Sequence, residues 1–380
     1  MKITRRVRVL FLLIAALVFP VAGRSADKPG TNRKYLVFVG TYTTKTESKG
    51  IYSFEFDADT GKLTPKGLGA KTPDPSWVVV SSSRKYAYAA NEAGKASTVS
   101  AFAVDAKSGI LTQLNQMPAL GEDPCYLSFD KTGKYLFVAN YTSGTVAVFP
   151  ILADGRLGEH TAMVKDQGAT GPNKERQEAA HAHWIQTTAH NRFVYVADLG
   201  LDQVLIYEFN VATGSLSPDD APPPDQNSVE KLTPWESFAP TLNPGTGPRH
   251  VAFGPTGRFM YVLGELQSTV AVFANDPVHH RFPQVQQIST LPKSFSGRND
   301  AAEIAVHPSG KFLYASNRGE DTIAIFSVDP AKGTLTFVAR VPTGGKEPRH
   351  FAIDPSGKYL LAENQHSNNC LLYTSDAADE

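Results

Sequence analysis

Apolar and polar positions alternate along this chain in short runs, and the runs recur in a fixed order. An apolar strand is followed by a turn of the form Pro-Ser/Thr-Gly-Lys/Arg, a strand led by an aromatic residue, a third alternating strand, and a Thr-Gly-x-Leu turn. Turn and second strand read DKTGKYLFVAN from Asp130, GPTGRFMYVLG from Gly254, HPSGKFLYASN from His307 and DPSGKYLLAEN from Asp354. Weaker copies start at Ser81 (SSSRKYAYAAN) and Ala189 (AHNRFVYVAD), and a first copy at Arg33 (RKYLVFVG) lacks its preceding strand. The leading aromatics Tyr35, Tyr86, Tyr135, Phe193, Phe259, Phe312 and Tyr359 are a mean of 54 residues apart. Third strands such as STVSAFAV, GTVAVFPI and DTIAIFSV alternate with period two, which predicts strands with one buried face. In the linking turn, proline presets φ at the second position and glycine takes the strained position that ends it. Seven copies of a four-stranded antiparallel unit predict an all-β fold, a seven-bladed β-propeller. Radial closure also protects strand edges that an open stack would expose.

The composition agrees, with 41% hydrophobic residues and the many turn formers (Gly 30, Pro 26) that short strands require. Lys and Arg together number 37, as do Asp and Glu, so the chain has no electrostatic footprint for nucleic acid or an anionic membrane. The N-terminus runs from basic (Lys2 to Arg8) through apolar (Val9 to Val21) to small residues, the order of an export signal. Its apolar stretch is too short to span a bilayer. Residues 1–26 are therefore expected to be a signal peptide, and the mature protein a periplasmic or secreted monomer without a membrane span. Only two cysteines occur, and Cys125 reads as a small buried residue. Residues 217–248 hold eight prolines and no strand periodicity, as a solvated surface excursion would, and His279-His280 reads as solvated turn. Repeat seven runs out at ENQHSNN; the following CLLYTSDAADE fits neither the third-strand pattern nor a cap and looks like the translation of a sequencing adapter. The propeller is accordingly expected over residues 31–369, with a non-native tail over 370–380. Blade seven and the ring closure would then be incomplete, leaving an apolar inter-blade face in water.

Aligning the repeats on their aromatic exposes the candidate chemistry. Ten positions before it stand Ser76, Cys125, His183, Arg249, Ala302 and Arg349; the next position holds Trp77, Tyr126, Trp184, His250, Glu303 and His350. Six positions after it stand Thr41, Glu92, Tyr141, Leu199, Glu265, Arg318 and Gln365. Inner strands line the channel, and both ends of the first hairpin lie at one end of the blade, so His183, Arg249, His250, Glu265, Glu303, Arg318 and Arg349 should converge at one channel mouth. Packing alone would favour apolar residues in these columns; gathered unlike charges mark a site. Trp77, Tyr126 and Trp184 read as inter-blade packing. His181 and His183 share one side of a strand, but no third residue at ligand spacing accompanies them, so no metal or other cofactor is expected.

The segments VGTYT, KGIYSFEFD, GTGPRH, GELQSTVAVF, ASNRGEDTIAIF, KEPRH and ENQHSNN, in this order over residues 34–369, resemble the 6-phosphogluconolactonase-type propeller lactonases, relatives of the carboxy-cis,cis-muconate lactonising enzymes. The resemblance implies hydrolysis of a sugar (aldonic acid) lactone by His183, Arg249, Glu265 and Arg318, a subset of the mouth residues. His250, Glu303 and Arg349 would complete the substrate site. His183, whose ordinary pKa lies near neutrality, is the expected proton carrier. A muconate-type cycloisomerase and a non-catalytic binding platform are the alternatives. Export places a phosphorylated substrate in doubt.

Overall fold

The computed structural model describes residues 33–44, 46–218, 240, 242–276 and 281–374. The expected signal peptide, residues 219–239 of the proline-rich excursion, His279-His280 and residues 375–380 lie outside the described residues. Among the described residues no helix is long and apolar enough to cross a membrane.

Among the described residues, twenty-six strands form seven antiparallel sheets in chain order, five of four strands and two of three. They are arranged as a ring of seven blades, the architecture that the repeat predicts. Blade five is representative, with Pro248–Phe253 innermost, then Phe259–Gly264, Thr269–Ala274 and Gln284–Ser289 outermost.

The central strands are buried on both faces; the third strands, for which one buried face is expected, are corrected by Thr145–Pro150 and Thr322–Val328, which have no exposed position. Tyr135–Asn140 and Phe259–Gly264 have no exposed position. The reason lies in the ring: alternate residues of one strand feed two different seams. Phe259, Tyr261 and Leu263 pack toward blade six, whereas Met260 and Val262 pack toward blade four. Seven apolar clusters result, one between each pair of neighbouring blades.

At the seventh seam blades seven and one have three strands each among the described residues, as expected of an incomplete closure, but the seam departs from expectation in two respects. Residues Asn369–Thr374 pair antiparallel with Tyr359–Asn364 as the third strand of blade seven, so CLLYT does take that position and the sheet runs past residue 369. Cys370 and Leu371 insert on opposite faces, one toward blade one and the other toward blade six. Blades seven and one also meet face to face, with Tyr359 edge-on to Phe56 at 5.4 Å. The apolar face is thus covered. Closure here is by side-chain packing; among the described residues blade one has three strands, beginning at Lys34–Val39.

If this seam holds the ring, Tyr359→Ala should destabilise the protein by about 3 kcal/mol, as large-to-small core changes do. Urea denaturation measures it, beside Phe326→Ala in the seam between blades five and six. An unmoved midpoint for Tyr359→Ala alone would mean that blades seven and one do not support each other.

Candidate active site

The inner strands of blades two to seven begin with the same irregularity. Pairing passes from Pro248–Gly264 directly to His250–Leu263, leaving Arg249 as an extra residue. The same slip isolates Ser76, Cys125, His183 and Arg349, and in blade six spans Ala302 and Glu303. Proline opens four of these strands, where no ladder donor is needed. The residues before it, Asp74, Asp123, Gly247 and Glu347, have positive φ, so the chain turns sharply into the strand. Neighbours on a regular strand face opposite sides, whereas a bulge re-aims its extra residue. Arg249 and His250 therefore reach the same space, with Nη1 of one 3.4 Å from Nε2 of the other.

All seven residues singled out from the sequence are brought together at this mouth. At its centre is the buried carboxylate of Glu265, at the end of the second strand of blade five. Arg249 Nε lies 2.9 Å from Oε2 and Arg318 Nη2 3.1 Å from the same oxygen. Both contacts are ion pairs without hydrogen-bond alignment, so these two donors keep bonding capacity. Arg249 also donates from Nη1 to the carbonyl of Ala302, and Arg318 Nε to that of Asp300 at 3.1 Å. Arg349 has no hydrogen bond or ion pair among the described residues, but lies in the field of Tyr42, Glu92 and Glu265.

Beside the arginines runs a chain of imidazoles and carboxylates. His250 Nδ1 is 3.1 Å from both oxygens of Glu303, whose Oε2 is 3.3 Å from His350 Nε2; His350 Nδ1 is 3.5 Å from Glu363. The ring of His183 stands 5.1 Å from that of His250 and 5.5 Å from Tyr141, and its Nδ1 is buried without a hydrogen bond. His181 stacks on Tyr141 at 4.6 Å, its nitrogens engaged by the Tyr141 carbonyl and Glu178. Among the described residues no group of three or more His, Cys, Asp or Glu side chains is placed to hold a metal ion.

Burial and like charge set the protonation states. Burial, with Arg249, His250 and Arg349 nearby, holds His183 well below the ordinary imidazole range, so the near-neutral value expected of it does not apply and the ring is neutral. His250 is pushed down to about 4, burial outweighing the attraction of Glu303. Burial and then Arg318 and Arg349 lower Arg249 to about 9, which leaves it charged at neutral pH. Glu265 goes the other way: burial opposes its charge, but Arg318, Arg249 and Arg176 hold its carboxyl at about 2.

Arg176 was not among the expected residues. It lies between blades three and four, outside every repeat column, and its Nη2 donates to Glu265 Oε1 at 2.6 Å. Glu92 and Tyr141 share the column of Glu265, where their chemistry could have marked them; Tyr42, one place beyond the column, donates to Glu92 at 2.5 Å. Trp184 is inter-blade packing as expected. Trp77 and Tyr126 do more, for their rings, 4.3 Å apart, also abut His250, and Trp77 meets His350. A pocket of about 370 Å³ lined by Tyr42, Asp74 and Glu92 opens on the side of blades one and two.

Comparison with known proteins supplies an independent line. The family described as "Lactonase, 7-bladed beta-propeller" matches residues 36–379. The 6-phosphogluconolactonase of Bacillus subtilis is 36% identical over 316 residues, covering 83% of this chain and 84% of its own. That of Formosa agariphila is 31% identical over 324 residues, with 83% and 85% covered. The solved structure of the periplasmic gluconolactonase of Pseudomonas aeruginosa superposes with a TM-score of 0.78 at 32% identity, over 91% of this chain and 93% of that one.

A depressed carboxyl stabilises the fold above its unfolded pKa and loses that contribution as pH falls through the folded value. Glu265 should therefore contribute about 3 kcal/mol that disappears between about pH 5 and pH 2. Glu265→Gln, which leaves the guanidinium groups uncompensated, should lose about 3 kcal/mol at pH 7 and show a flatter acid dependence in urea titrations. Equal acid sensitivity of both proteins would contradict the ion-pair cluster.

Proposed function

The chain belongs to the seven-bladed β-propeller lactonase family and is a lactone-hydrolysing carboxylic ester hydrolase; from this premise we propose that His183, Arg249, Glu265 and Arg318 open the lactone of an aldonic acid, with His250, Glu303 and Arg349 binding the substrate. The observation that supports this most directly is the pairing of Arg249 and Arg318, from two different blades, on one buried carboxylate while their unaligned donors stay available.

Hydrolysis requires a water to attack the ring carbonyl, positive charge for the oxyanion that forms, and a proton for the departing ring oxygen. Neutral His183 accepts the proton from the attacking water. The new C–O bond turns the carbonyl oxygen into an oxyanion, which takes the free donors of Arg249 and Arg318. That anion offsets the arginine field that disfavours an imidazolium, so His183 can hold its proton while the intermediate exists. Collapse breaks the ring C–O bond, the leaving alkoxide takes the proton from His183, and the acid is released as a carboxylate. Glu265 keeps the two arginines in register, and Glu303 orients His250 through Nδ1.

The basic, apolar and small-residue order of residues 1–26 supports action outside the cytoplasm, as does the periplasmic location of the Pseudomonas aeruginosa relative. An unphosphorylated lactone suits that compartment. One chain supplies every proposed residue, so a monomer suffices.

Purified protein should open glucono-δ-lactone in a pH-indicator assay. His183→Ala and Arg249→Ala should each lose on the order of 10²-fold in kcat/KM, as when one oxyanion donor is removed. Wild-type rates in both variants would overturn the residue assignment. Turnover of a carboxymuconate but of no lactone would favour the cycloisomerase reading.

A further inference from the structure

Glu265 is contacted by three arginines, and they do not hold it in the same way. Arg249 Nε and Arg318 Nη2 approach Oε2 at 2.9 and 3.1 Å without hydrogen-bond alignment. The aligned hydrogen bond comes from Arg176 Nη2, at 2.6 Å on Oε1. The same guanidinium is 3.3 Å from the Tyr141 hydroxyl and 3.5 Å from Asp300, so it bridges groups of blades three, five and six. Its own segment is tied down nearby: Asn173 carbonyl and side-chain oxygens accept the amides of Gln177, Glu175 and Arg176, and Gln177 bonds Leu199 and Asp202.

We infer that Arg176 is a positioning residue for the reaction. By occupying Oε1, it fixes the rotation of the carboxylate so that Oε2 draws Arg249 and Arg318 together without satisfying them. Their donors then stay unsatisfied beside the carboxylate, available to the oxyanion. Without Arg176 the carboxylate is free to rotate and accept aligned bonds from Arg249 and Arg318, which removes those donors from the substrate. Arg176 acts on the transition state through Glu265, so its loss appears in kcat far more than in KM. Its side chain is 26% exposed and stands on an inter-blade connection, outside the seams, where substitution leaves the ring intact.

This inference rests on the proposed roles of Arg249 and Arg318, and the test separates the two. Kinetics on glucono-δ-lactone would compare wild type, Arg176→Met, Arg176→Lys and Arg249→Ala. Arg176→Met should lower kcat by roughly 10- to 100-fold, the effect of losing a hydrogen bond to a charged group, with KM nearly unchanged. Arg176→Lys, which keeps a charged donor, should recover most of the loss. Wild-type kcat in Arg176→Met with Arg249→Ala impaired would overturn the role of Arg176 alone. An equal loss in the Met and Lys variants would do the same. Wild-type activity in Arg249→Ala would instead remove the reading on which the inference stands.

Discussion

A blade of this protein has two apolar faces, and neither can be left in water. Each face is wide enough only for the face of another blade, so every sheet requires a neighbour on both sides, and a row of such sheets must curve until its ends meet. The seven apolar seams are the result, and everything else in the structure follows from them. Since each sheet twists, face-to-face packing around an axis brings the inner strands to a central channel. The channel is where backbone and side chains of separate repeats come close without burying one another in hydrocarbon.

At the mouth of that channel the fold places charge where the surrounding seams exclude water. Glu265 is stabilised as an anion because cations from different parts of the chain surround it, and Arg249 stays charged because that anion is there. Neither group would be tolerated alone at this depth. Burial, reinforced by the same field, keeps His183 neutral. The protonation states are a property of the ring rather than of any one blade, because the charges that set them come from residues more than a hundred positions apart.

The bulge at the start of the inner strands of blades two to seven links the packing to the charged cluster. It lets consecutive residues such as Arg249 and His250 share one space while the remainder of the strand stays in register with its neighbour and keeps its apolar residues in the seams. In blades two and three the same places hold Ser76 and Cys125, small residues turned to inter-strand bonds with the carbonyls of Pro124 and His183.

Much of this was legible in the chain itself. The spacing from Tyr35 to Tyr359 determined the number of blades, and registering the repeats on those aromatics was enough to bring His183, Arg249, His250, Glu265, Glu303, Arg318 and Arg349 to one mouth, because repetition in sequence becomes rotation about an axis in space. What lies outside the repeat was not legible. Arg176 belongs to a connection with no counterpart in other blades, so no column could contain it. The strand Asn369–Thr374 has too little alternation to be read as one, and takes that form because the edge of Tyr359–Asn364 and the faces of blades one and six offer it partners. Burial on both faces, the bulges and the depressed pKa of His183 likewise depend on which blades become neighbours. Periodicity is a local property that a sequence carries within itself, whereas the field at a buried group is summed over atoms that only folding brings near.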